Sequence, residues 1–77
     1  MEIDTRKVDD AALALLHLTL HEGNRAWKTI DREVMNRLHG RGLIADPVNY
    51  AKSVVLTEEG LSLSERLARQ LFGRHQK

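Results

Sequence analysis

The chain has 77 residues, 12 Lys+Arg against 11 Asp+Glu, 42% hydrophobic residues, one Pro and no Cys. That length allows one domain, and the missing thiols exclude a disulfide scaffold, a Cys-based zinc site and a cysteine nucleophile. The composition is too apolar for a disordered chain, and the longest unbroken apolar run, Ala11 to Leu16, is far short of the ~20 residues that span a bilayer.

The first predicted helix covers about residues 5–21. Asp4 or Thr5 caps it, and Asp9 and Asp10 are assigned to its first turn, where carboxylates favour the positive end of the helix dipole. Val8, Ala11, Ala12, Leu13, Leu15, Leu16, Leu18 and Leu20 spread over more than half of its circumference, leaving Asp10, Ala14, His17 and His21 as the expected solvent strip. An apolar arc that wide asks for neighbours on two sides. A domain this short buries only about 60–65% of its unfolded surface, so a second copy is a natural source of further buried area. The expectation is a homodimer, with Leu13, Leu18 and Leu20 as the self-association residues.

Glu22-Gly23-Asn24 breaks this helix, with Gly23 or Asn24 suited to a left-handed cap. Residues 25–28 alternate and predict a short strand. Asp31 reads as the N-cap of a second helix over about 31–40, with Ile30, Val34 and Leu38 as its core face, Met35 flanking, and Arg32, Asn36 and His39 opposite. Residues 43–45 and 53–56 read as strands of a hairpin around the turn Asp46-Pro47-Val48-Asn49. Thr57 then caps a third helix over about 57–72, and Arg74-His75-Gln76-Lys77 is expected to fray. The fold class is therefore α+β, one domain over residues 1–77, in the order helix, short strand, helix, hairpin, helix.

Charge is uneven along the chain: residues 1–22 carry net −3, residues 23–56 net +3 and residues 57–77 net +1. The middle segment supplies the candidate nucleic-acid contacts Arg25, Lys28, Arg32, Asn36, Arg37, Arg41 and Lys52, with Tyr50 beside the last of them. Trp27, between Arg25 and Lys28, reads mainly as a core or interface anchor, with base stacking as its other use. His17 and His21 are spaced i, i+4, which puts two imidazoles on one helix face; two such ligands without a third read as a solvated strip, so no metal is expected. Ser53, Ser62 and Ser64 have no His near them in sequence, and no phosphate-cradling glycine loop is present. No catalytic residue, cofactor or small-molecule substrate is expected. The acidic start Met1-Glu2-Ile3-Asp4 is unlike a signal peptide, so the expected location is cytoplasmic and off the membrane.

Two resemblances follow. The stretch Leu38-x-x-x-Gly42-Leu43-Ile44, then a turn, then Val54-Val55-Leu56-Thr57-Glu58-Glu59-Gly60, resembles the recognition helix, wing and final helix of MarR- and PadR-like winged-helix regulators. In that comparison Gly60 lets the backbone pack closely. The resemblance implies a winged-helix-like domain that binds DNA. Over nearly its whole length the chain also resembles a family of small bacterial proteins of unknown function, through Ala12-Leu13-Ala14-Leu15-Leu16, Arg25-Ala26-Trp27-Lys28, Leu38-His39, Gly42-Leu43-Ile44, Asp46-Pro47 and Ala51 to Thr57. A helix-turn-helix joins its two helices by about 3–4 residues. Here residues 22–30 intervene, so the helix that should precede the recognition helix is missing. Nucleic-acid binding is the leading reading, and a protein-interaction or dimerisation module without DNA binding or catalysis is the other.

Overall fold

The computed structural model describes residues 1–28, 30–48 and 52–74. The elements follow in the order α1 (Thr5–Leu18), β1 (Arg25–Trp27), α2 (Arg32–Gly40), β2 (Ser53–Val55) and α3 (Glu58–Phe72). The fold is small α+β, three helices around a two-stranded antiparallel sheet, compatible with a winged-helix-like arrangement. The side chain of Tyr50, expected beside the wing, and residues 75–77 of the expected frayed tail lie outside the described residues.

Each helix begins where a short polar side chain replaces the missing intrahelical acceptor. Asp4 accepts from the amides of Arg6 and Lys7, Asp31 from that of Glu33, and Thr57 from that of Gly60. α1 stops at Leu18, three residues short of the expected end. Thr19 turns its hydroxyl back onto the Leu16 carbonyl (3.1 Å), and His21 leaves to pair with Arg25 through two backbone hydrogen bonds of 2.8 and 3.1 Å. Cross-strand pairing overrides the helical periodicity here. Glu22 (φ 51°) and Gly23 (φ 86°) make the left-handed turn between them.

The ladder differs from the expected one. β2 pairs chiefly with β1, in the register Arg25↔Val55, Ala26↔Val54, Trp27↔Ser53. The expected 43–45 strand reduces to one bridge, Ile44↔Leu56, with the Ala45 amide donating to the Val55 carbonyl at 2.8 Å. Pairing stops there because Pro47 has no amide hydrogen and Asp46 folds back to accept from the Val48 amide at 2.9 Å. β2 thus lies between β1 and the Ile44 segment.

The core gathers Ala12, Leu13, Ala14 and Leu16 of α1, Ala26 of β1, Val34, Met35 and Leu38 of α2, Leu43, Ile44, Val54 and Leu56 of the ribbon, and Leu67 and Ala68 of α3. Met35, expected at the flank, is buried. α1 is the central helix, packed on α3, α2 and β1.

One backbone contact sets how α3 enters this core. α2 ends in a 6→1 closure, Leu43 amide to Leu38 carbonyl, with Gly42 at φ 75°. The Leu43 carbonyl then accepts from the Thr57 amide (3.0 Å) and lies against the Cα of Gly60, while the Thr57 hydroxyl donates to the Gly42 carbonyl at 2.7 Å. A Cβ at Gly60 would overlap that carbonyl oxygen, whereas one at Gly40 would meet open space. Urea unfolding separates the two: Gly60→Ala is expected at or above the top of the ~1–3 kcal/mol cost of overpacking, and Gly40→Ala to be neutral or to gain up to ~1 kcal/mol.

Candidate functional site

Two surfaces carry the candidate residues: the basic middle segment and the open side of α1.

In the basic segment, most of the cations are already held within the fold. The guanidinium of Arg37 spans both oxygens of Asp9, with Nε at 3.0 and 2.8 Å and Nη2 at 2.8 Å. The Asp9 side chain is only 4% exposed, against 37% for Arg37, so the carboxylate is the buried member of the pair. The hydrogen bonds to Asp9 hold Arg37 above the usual guanidinium range, helped by the charges of Asp9, Glu33 and Asp31 and opposed by burial. Arg37 therefore stays charged at every working pH. One turn on, Arg41 reaches Asp10 at 3.3 Å, and Arg6 approaches the same oxygen at 3.8 Å. Asp9 and Asp10 thus sit beyond the first turn of α1 and act as acceptors for α2, which corrects the dipole role expected for them. Arginines at i, i+4 on α2 facing adjacent carboxylates on α1 were the signal in the sequence that would have shown this.

Arg25 crosses the ribbon to donate from Nε and Nη2 to the Ser53 hydroxyl (3.1 and 2.9 Å), and Lys28 Nζ donates to the Pro47 carbonyl at 2.8 Å. Arg32 and Asn36 remain exposed on the outer face of α2, and Lys52 is exposed beside β2; none of these three side chains has a hydrogen bond or ion pair among the described residues. Residues 19–28 and 30–31 hold turns, a bridge and β1, so the described residues place no helix directly before α2 where a helix-turn-helix has one.

The histidines separate. His17 Nδ1 donates to the hydroxyl of Ser64 at 3.2 Å, and that hydroxyl donates onward to the Leu61 carbonyl at 2.9 Å. Sequence separation hid this contact, which ties α1 to α3 through a fully buried serine. His21 lies past the end of α1. Its Nδ1 donates to the Thr19 carbonyl at 3.2 Å and its ring stacks on Trp27, centroids 4.4 Å apart and planes 26° from parallel. The two imidazoles therefore do not share a helix face. Trp27, expected mainly as an anchor, is 50% exposed. Among the described residues no group of three or more His, Cys, Asp or Glu side chains is placed to hold a metal ion, and no described helix is long and apolar enough to cross a membrane.

On α1 the expected solvent strip is corrected. Ala14 is fully buried and His17 is half-buried, because α3 covers that side. The side left open is apolar: Val8, Leu15 and Leu18 are exposed, with Ala11 half-buried between them. Of the three expected self-association residues, Leu13 is in the core and does not face a partner; Leu20 packs against the core half-buried; Leu18 is 61% exposed.

Residues 4–74 match a family model described as a domain of unknown function, DUF6429. The chain is also 62% identical over 74 residues to a protein of Sinorhizobium fredii (strain NBRC 101917 / NGR234) named "Uncharacterized protein y4hR", a match covering 96% of this chain and all of that one. No solved structure matches the chain.

Removing Arg37 strands a buried carboxylate, so thermal melts should rank Arg37→Ala well below the native chain, with Asp9→Asn milder. The loss in the double variant is expected to be clearly smaller than the sum of the two single losses.

Proposed function

We propose that this chain, which belongs to the family described as a domain of unknown function (DUF6429), is a protein-interaction module that works by self-association through α1. The observation that carries this reading is the rotation of α1. The helix buries Ala14 and half-buries His17, yet turns Val8, Leu15 and Leu18 to solvent. These three recur at i, i+7 and i+10, one continuous stripe along the helix. Exposed apolar side chains in a line, on a helix that has polar positions to spare, are the mark of a surface that is covered in use. A copy of the same helix is the default partner, since an isologous contact needs only one such surface.

The chemistry supports binding over catalysis. Among the described residues, the serine that meets a histidine is Ser64, whose fully buried hydroxyl is already spent on the Leu61 carbonyl and offers no accessible nucleophile.

Light scattering across a concentration series tests the reading. The native chain is expected as a dimer, and Leu15→Glu or Leu18→Glu as a folded monomer. Leu13→Glu, in the core, is expected to unfold instead, which separates interface from core. A native chain that remains monomeric at every concentration overturns self-association.

A second reading, duplex binding, is favoured by Arg32 and Asn36 standing exposed and unpaired on α2, with Lys52 exposed beside β2. Those residue types read guanine and adenine edges and meet phosphate. Under it, anisotropy with duplex DNA at low salt shows binding, and Lys52→Ala lowers the salt slope by about one.

A further inference from the structure

The open side of α1 has a symmetry of its own. Val8, Ala11, Leu15 and Leu18 are spaced by three, four and three residues, so the stripe has the same spacing in either direction about a point midway between Ala11 and Leu15. Turned end for end, Val8 falls at the level of Leu18 and Ala11 at the level of Leu15. Size does not follow the same symmetry: the smallest side chain, Ala11, comes opposite a leucine, and so does Val8. On the helical wheel Ala12 and Ala14 occupy the two shoulders of the stripe, and both are buried against the rest of the fold, so the shoulders are low over its middle turns. Val8, Leu15 and Leu18 stand exposed above them, with Ala11 half-buried. Lys7, in the first turn beside Val8, is exposed, and its side chain has no hydrogen bond or ion pair among the described residues. The nearby carboxylate of Asp4 is committed to the amides of Arg6 and Lys7.

We propose that two copies of the chain pair α1 against α1 antiparallel, about a two-fold axis level with the midpoint of Ala11 and Leu15, so that Ala11 packs against the partner's Leu15 and Val8 against the partner's Leu18. This pairing rests on the α1 self-association reading and fixes what that reading leaves open, the direction of the helices and the contacts between them. Volume decides the direction. In the antiparallel pair every layer holds one leucine and one smaller side chain, so small and large alternate across the seam as in a packed interior. In a parallel pair in register, Ala11 would face the partner's Ala11 and leave a gap between larger layers. Charge agrees with volume. Antiparallel pairing sets the positive end of each α1, with Lys7, beside the negative end of the partner's α1, whereas parallel pairing brings two positive ends and two unpaired lysines together. A foreign helix would need its own matching run of sizes and charge; a second copy supplies both by rotation alone.

The chain has no cysteine, so an introduced thiol has no competitor. The test makes Val8→Cys, Ala11→Cys, Leu15→Cys and Leu18→Cys singly in the full chain, oxidises each alone and in pairs mixed at equal concentration, and identifies the products by intact mass. The expected products are mixed disulfides, Val8→Cys with Leu18→Cys and Ala11→Cys with Leu15→Cys. In the antiparallel pair the two copies of residue 8, or of residue 18, lie about 15 Å apart along the axes, far past the ~7 Å between Cα atoms that a disulfide spans, so neither variant should link to itself. A volume swap gives a second measurement, read by light scattering. Ala11→Leu should raise the dimer Kd about tenfold or more by setting two leucines face to face, and adding Leu15→Ala to it should restore most of the affinity. Circular dichroism checks that each variant folds; if Ala11→Leu does not, the disulfides decide. Three outcomes overturn the antiparallel pairing and leave α1 self-association standing: disulfides of each variant with itself as the main products, no mixed disulfide from samples that scatter as dimers, or a dimer tightened by Ala11→Leu. A native chain that is monomeric at every concentration overturns both.

Discussion

The architecture depends on how closely the Leu43 carbonyl approaches Gly60. Only a residue without a Cβ lets a carbonyl oxygen lie on a helix backbone in that way. The same carbonyl takes the amide of Thr57, whose hydroxyl reaches back to Gly42. The end of α2, the Ile44 segment and the start of α3 are therefore locked within a few residues of one another. With α3 fixed at its first turn, its buried Ser64, Leu67 and Ala68 come down on α1, and Ser64 receives His17. Which side of α1 is covered follows from that placement, and so does which side is left bare.

The Asp9–Arg37 pair plays the corresponding part on the other side of α1. A bidentate guanidinium on a buried carboxylate fixes rotation as well as distance, since both oxygens are used. Arg41, at the C-cap of α2, adds a single contact to the more exposed Asp10 at 3.3 Å. These pairs consume charge that the sequence offers to a ligand. The positive middle segment is thus partly an internal fastening, with its remaining reach divided between α2 and the ribbon. Among the described residues no buried side-chain nitrogen or oxygen lacks a partner, so the polar contacts that join the helices are complete.

The local signals of fold were legible because each rests on a few adjacent residues. Asp31 and Thr57 cap as short acceptors do, Gly42 adopts its left-handed turn, and Gly60 is needed for close packing. What could not be read depended on distant partners. Thr19 to His21 keep a helical rhythm, and only the pairing with Arg25 turns them into a bridge. Residues 43–45 carry strand composition, yet β1 takes most of the available ladder on β2. A helical wheel finds the apolar arc of α1 but has no means of saying which part of it α3 covers; Leu13 and Leu18 lie toward different edges of that arc, and one is buried while the other is exposed. The candidate sites suffered in the same way. Arg37 and Arg41 resemble Arg32 until α1 is set beside them.

The shortness of the ribbon has its own consequence. β1 and β2 are three residues each, His21 occupies part of the free flank of β1, and on the other flank pairing ends before Pro47. Such a rim gives an incoming extended chain very little to template on, so fibrillar growth by strand addition is blocked at its first step. Among the described residues, copies of this molecule brought close together therefore meet no long strand edge on which to stack.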